Sequence, residues 1–331
     1  MLTTCFTPAH RQVGAHTSAT VILVTQPRST TDRVARGVVS TFGAGLFLGL
    51  TPAAALAGWW LVPGMVLAAA VAVLFALSTQ DFPASGPAPL VGILGRIAAA
   101  AAAATTFGRY VLPGRPEFAA VVLVVVVAGL VLVAPPLPGV VDRVAAVLVV
   151  GVLVVVAVSC FAIAPVGLAV TPPADAAGAD EPVGLFTSAL LLYLCFIGSP
   201  SVVRRERVAV VGVVLVVSLA VAVGVLWQLG GERLALSTAP LRDALAAADA
   251  SGVDGVLAVG VTVACVFALR GVLGDIRDLA PVRPAHVVLL AAGAAALAAL
   301  LLAPEYMITG AGVLLLGEAG IRILAARRGK A

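Results

Sequence analysis

The chain has 331 residues, of which 61% are hydrophobic and only 11% charged, and its mean hydropathy is +1.14. Soluble domains carry roughly 25% charged residues and about half apolar ones, so a water-soluble fold could not hide this much apolar surface. The formal charge of +4 comes from arginines at the ends of apolar runs rather than from a basic patch, which excludes a nucleic-acid partner and leaves the lipid bilayer as the solvent.

Residues 1–33 lack the charged start and long apolar run of a cleavable signal, because Val21–Val24 is far too short. They are expected to be a disordered tail. Residues 34–326 form the membrane domain and 327–331 a short second tail. Ten apolar runs then follow at about the 20-residue length that crosses roughly 30 Å of hydrocarbon. They are approximately 37–58, 61–79, 89–112, 118–136, 141–164, 184–203, 208–228, 254–274, 285–303 and 307–325. Proline, glycine or charge separates them at 81–89, 113–117, 135–139, 172–182, 204–207, 230–254 and 275–284. Each run must be helical, since lipid offers a backbone no hydrogen-bond partner. The fold class expected is therefore an all-α polytopic membrane protein.

The basic residues orient it. With both termini in the cytoplasm, sixteen of the twenty arginines and lysines fall inside, and only Arg109, Arg115, Arg233 and Arg242 fall outside. That is the positive-inside pattern, and it predicts a multi-pass protein of the cell membrane with cytoplasmic termini. The outer stretch 229–253 is expected to hold a short surface helix, capped by Thr238, started by Pro240, with Leu241, Leu245 and Ala246 on one face.

Chemistry is sparse. Cys5, Cys160, Cys195 and Cys265 are scattered and read as small buried residues; His10, His16 and His286 all lie away from span centres. No acid pair, HExxH or nucleophile–base pair occurs in the runs, so neither an enzyme nor a bound cofactor is expected. The sequence says more where helices should break. The first run reads Ser-Thr-Phe-Gly-Ala-Gly-Leu-Phe over 40–47, and the sixth reads Tyr-Leu-Cys-Phe-Ile-Gly-Ser-Pro-Ser over 193–201. Gly43 and Gly45 lower the cost of unwinding, and Pro200 removes a backbone donor. Gly45-x-x-x-Gly49 is equally a helix-packing motif, and Pro200 equally a plain kink. These two runs open the two five-helix halves, 37–164 and 184–325, which cross the membrane in opposite senses. Paired interruptions in inverted halves point to a midplane solute site.

From residue 36 the chain resembles the amino acid–polyamine–organocation permeases, which share the leucine-transporter fold. The carriers are Phe-Gly-Ala-Gly-Leu-Phe (42–47), Thr-Pro-Ala-Ala-Ala-Leu-Ala-Gly (51–58), Asp-Phe-Pro-Ala-Ser-Gly-Pro (81–87), Gly184 to Ser199, and Ser-Thr-Ala-Pro-Leu-Arg-Asp-Ala-Leu (237–245). The resemblance implies a 5+5 inverted repeat with helices one and six discontinuous, and a substrate held between them. The substrate carboxylate would meet the amides of Gly43, Ala44 and Gly45; Phe196, Gly198 and Ser199 would sense its side chain, with Thr41 and Ser201 nearby. The chain departs from the family in having ten spans where many members have twelve. It also has Arg-Arg-Glu-Arg at 204–207 in place of acidic residues, and no lysine in span five. The coupling ion, proton or sodium, stays open, with Thr262 a candidate sodium ligand. The function expected is a permease for amino acids or small amines; the alternatives are a ten-helix drug/metabolite-type exporter and a transport-inactive sensor or accessory protein.

Overall fold

The computed structural model describes residues 29–42, 45–78, 88–133, 137–164, 182–197, 204–279 and 284–328. Among them there are twelve α-helices and no strand: α1 Thr30–Phe42, α2 Gly45–Ala57, α3 Leu61–Ser78, α4 Ala88–Val111, α5 Pro116–Val133, α6 Gly139–Ala162, α7 Pro182–Tyr193, α8 Arg204–Leu236, α9 Pro240–Ala247, α10 Asp254–Leu279, α11 Pro284–Leu301 and α12 Pro304–Arg328. Proline opens α5, α7, α9, α11 and α12, where its missing N–H costs nothing and its fixed φ suits the first turn. Eight helical runs among the described residues are long and apolar enough to cross a membrane, and Val183–Phe196 is a shorter apolar one. Rows of exposed valine on α6 (Val144, Val147, Val154 and Val158) and of leucine on α11 (Leu289, Leu290 and Leu297) have no protein partner. A surface of that kind is stable only against acyl chains. The protein is a multi-pass membrane protein.

One of the eight runs joins α2, a 3-10 turn at Gly58–Trp60, and α3 into a single stretch, Gly45–Leu77. Straight, its 33 residues would reach about 50 Å, well past the hydrocarbon core. It is not straight. Going down α2, Gly45 lies against Cys195, Gly49 against Leu192, and Leu56 and Ala57 against Gly184, so α2 is antiparallel to α7. Gly64 of α3 lies on Ser188, and the ring of Phe75 meets that of Tyr193 edge-on at 6.3 Å, so α3 is parallel to α7. The chain therefore reverses between α2 and α3, at Gly58, whose φ of 51° suits glycine.

At the centre stands α4. Its run Ala99–Ala104 is buried throughout, and it packs on α10, α12, α5 and α11. Methyl side chains allow that many neighbours to approach one helix. In a second group, α2 and α3 each pack on both α7 and α8.

Several expected boundaries move. α1 begins at Thr30, inside the expected tail, because Ser29 and Asp32 form a capping box: the Ser29 hydroxyl accepts from the Asp32 N–H (3.2 Å) and the Asp32 carboxylate accepts from the Ser29 N–H (3.2 Å). Residues 1–28 lie outside the described residues. The expected sixth span, 184–203, ends as a helix at Phe196, where a 3-10 turn closes and Ile197 is extended (φ −80°, ψ 97°). Arg204–Arg207 is not a break but the first turn of α8, which continues past Gly230, a kink with φ of 71°, to Leu236. The surface helix in 229–253 exists as α9, yet its N-cap is Ala239, not Thr238. Its buried face is Leu241, Ala244 and Leu245, with Ala246 exposed, because residues four apart share a face with the residue between them shifted by one.

Candidate functional site

Ionic contacts mark one face of the bundle. Arg36 of α1 pairs with the buried Asp142 of α6 at 2.8 Å. Arg143 reaches back to Asp32, and its Nη2 donates to the Ser29 hydroxyl at 2.8 Å. Arg33 grips Glu206 of α8 with its Nε (2.8 Å to Oε2) and Nη2 (2.5 Å to Oε1). Three pairs thus fasten the start of α1 to the starts of α6 and α8. The hydrogen bond from Arg143, opposed by burial and aided by Ser29, holds the Asp32 carboxyl below its ordinary value of 3.8. A carboxylate depressed in the folded state contributes fully above its unfolded value and is lost only as pH falls through the lower folded one. The Asp32–Arg143 contact should therefore hold through mildly acidic pH.

The opposite face is closed by α9. Thr51 of α2 donates to the Ser237 carbonyl at 2.9 Å. The buried Tyr110 hydroxyl, at the end of α4, accepts from the Leu241 N–H (3.3 Å) and donates to the Phe47 carbonyl (3.4 Å). Gln228 of α8 donates to the carbonyls of Cys160 and Ile163, both at 2.6 Å, at the end of α6.

Toward the ion-paired face, at the end of the sixth expected helix, lie two adjoining cavities. The smaller, about 50 Å³, is bounded by Ser40 and Thr41 of α1, Leu194 and Ile197 of the sixth helix, and Asp275 of α10. The larger, about 110 Å³, is lined by Phe75, Tyr193 and Phe196 together with Arg207, Glu318 and Arg322. Arg96, Ile197 and Leu315 belong to both walls.

The expected site residues fall out as follows. Thr41 is buried and lines the smaller cavity, where its hydroxyl donates to the Gly37 carbonyl at 2.6 Å, leaving its oxygen lone pairs available. Phe196 is buried and lines the larger one. Gly45 is where the first and sixth helices touch: a Cβ there would fall on the backbone and Sγ of Cys195. Those three are brought to one region. Gly43, Ala44, Gly198, Ser199 and Ser201 lie outside the described residues. Thr262 lines neither of the two cavities, and its hydroxyl donates to the Ala258 carbonyl at 2.7 Å. Among the described residues no three His, Cys, Asp or Glu side chains gather to hold a metal. Cys160, Cys195 and Cys265 are buried free thiols.

Sequence reasoning left the spans nearly free of titratable groups, and there it missed the main charge cluster. Glu318 of α12 accepts from Arg96 of α4 at 2.8 Å and also pairs with Arg322 one turn further on. With side chains only 11% and 7% exposed, Arg96 and Glu318 are almost out of reach of solvent. Two signals were available: a lone arginine inside an apolar run, and a glutamate with arginine four residues later inside another. What linked them, α4 lying on α12, belongs to the tertiary structure.

No protein-family model matches the chain. It is similar to an uncharacterized transporter of Mycobacterium tuberculosis and one of Mycobacterium bovis, each 30% identical over 293 residues that cover 77% of this chain and 66% of the relative. It spans just under two thirds of their length, 66%. The likeness joins the physical evidence of a multi-pass membrane bundle with polar cavities lined by residues of α1, α3, the sixth expected helix, α4, α8, α10 and α12.

Proposed function

We propose that this chain is a secondary transporter that carries an amino acid or related small amine across the cell membrane by alternating access. The observation that carries this reading is the charged cavity at the point where the sixth helix stops, beside the end of α1. The extended Ile197 leaves helix-end carbonyls without intrahelical partners, and the cavity walls carry both signs of charge, Arg96 and Asp275 among them. A zwitterion asks for that combination.

The packing supports a 5+5 inverted repeat. If α1 with α2 corresponds to α7, α3 to α8, α4 to α10, α5 to α11 and α6 to α12, contacts come in exchanged pairs. Helix α4 packs on α11 and α10 on α5; α4 packs on α12 and α10 on α6; α3 packs on α7 and α8 on α2. The reversal at Gly58 gives the first half its second crossing. Helices α1, α2, α3, α7 and α8 would rock against the group built on α4. With the basic residues cytoplasmic, the ion-paired face around α1 is the inner gate and the α9 face the outer one. Gly43, Ala44 and Gly45 would offer amides to the substrate carboxylate, and Gly198, Ser199 and Ser201 would face its side chain. The coupling ion is the proton or sodium.

The test is uptake of labelled amino acids and amines into proteoliposomes, with and without sodium or proton gradients. Gradient-driven accumulation of one solute is expected. Binding without flux would assign the chain to a sensor, and accumulation only in inverted vesicles to an exporter.

The inner gate gives a second expected result. Asp142→Asn leaves Arg36 without its carboxylate, so α1 should open more often. Labelling of a cysteine placed at Ser40, on a background lacking Cys5, should speed up at least about fivefold, the factor that about 1 kcal/mol commands. Lowering the pH of the unaltered protein from 7 to about 5 should leave the Asp32–Arg143 contact in place, since the Asp32 carboxyl, held below 3.8, stays ionised there. Equal labelling in Asp142→Asn and the parent would mean that this pair does not gate the cavity.

A further inference from the structure

The larger cavity has a charge balance that the amino acid reading by itself does not require. Arg96, Arg207 and Arg322 face it against one carboxylate, Glu318. Glu318 is already shared by Arg96 and Arg322. The Nε atoms of both Arg207 and Arg322 are buried and have no hydrogen-bond partner among the described residues. A buried guanidinium donor with no acceptor is costly, and it is more costly still on a group that stays charged at every physiological pH. The rest of the wall is apolar (Ala72, Phe75, Phe196 and Leu315 among it) apart from the Tyr193 hydroxyl, so Glu318 is its only carboxylate among the described residues. Asp275, which lines the smaller cavity, acts on Arg207 through space.

We infer that this cavity is a subsite for the carboxylate of a small anionic solute, held by Arg207 and Arg322. The planar fork of arginine matches a carboxylate in bidentate fashion. A solute whose carboxylate sits there has its other end at the shared wall of Arg96 and Ile197, within reach of Asp275 and Thr41 in the smaller cavity. An amino acid with an acidic side chain satisfies both halves: its ammonium group suits Asp275 and its side-chain carboxylate suits the two arginines. The inference deepens the transport reading in calling the solute cargo, but the binding site stands on its own geometry.

Glutamate and glutamine form the deciding pair, since they share size and differ in charge. With purified full-length protein in detergent, glutamate should raise the melting temperature and glutamine should do so far less. Arg207→Gln should weaken glutamate binding at least about tenfold, as loss of a hydrogen bond to a charged group does. Arg322→Lys, which keeps the charge and loses the fork, should weaken it less, with the ligand-free melting temperature near that of the parent. Equal responses to glutamate and glutamine would overturn the inference, as would unchanged affinity in Arg207→Gln. An equal response to inorganic phosphate would reduce the site to a general anion pocket, and competition by phosphatidylglycerol in nanodiscs would give it to a lipid headgroup; either result overturns the solute assignment. Glutamate binding without flux in any vesicle would sink the transport reading and leave the site intact. Flux of neutral amino acids with no response to glutamate would do the reverse.

Discussion

Gly45→Leu should abolish solute uptake, and even Gly45→Ala should remove most of it. The first side-chain atom added at this position falls on the Cα, N and Sγ of Cys195, so the obstacle is backbone and not a movable side-chain end. The two helices would have to separate. Forcing extra atoms into a packed contact costs about 1–3 kcal/mol in ordinary cores, and more where backbone must move. The damage should also be local to function, because Thr41, Ile197 and Phe196 hang on these same two helices and define the cavity walls. Shrinking the neighbour gives a sharper version of the test. Cys195→Ala removes the Sγ contact but leaves the backbone in place, so it should fail to rescue Gly45→Ala. Uptake and melting temperature like the parent's in Gly45→Ala would show that the first and sixth helices do not meet in this way.

The second large effect is expected on stability. Glu318→Ala removes the one carboxylate that Arg96 and Arg322 share, leaving two guanidinium groups in a site from which solvent is nearly excluded. Breaking a buried ion pair from one side costs about 3–5 kcal/mol, because the remaining charge stays desolvated without compensation. The melting temperature in detergent should therefore fall further than for substitution of less buried charges such as the Arg242–Asp254 pair at 3.5 Å. Arg96→Met combined with Glu318→Met should recover part of the loss, since it also removes a buried charge. A double-mutant cycle of the parent, Arg96→Met, Glu318→Met and the double variant measures the coupling. If Glu318→Ala melts like the parent, the α4–α12 ion pair is not what joins those helices.

The two predictions differ in how much of their basis could be read from the chain itself. Sequence by itself determined the solvent and the helical class: long apolar runs with proline or glycine between them leave helices in lipid as the only stable outcome, and their ends were located to within a few residues at α4, α5, α6, α10, α11 and α12. It also pointed to an interruption of the sixth helix over 193–201; the described helix ends at Phe196 with Ile197 extended, and the residues beyond, 198–203, lie outside the described ones. The tertiary structure decided what meets what. That Gly45 lies on Cys195, that the chain reverses at Gly58 so α2 and α3 flank α7 in opposite senses, and that Arg96 shares Glu318 with Arg322 all depend on residues far apart in sequence being brought within a few ångströms. A helical period reports which residues share a face, but not which neighbour that face will meet. In lipid this gap is wide, because apolar side chains pack against acyl chains nearly as well as against each other. Close glycine contacts and a few buried charges then choose the partners.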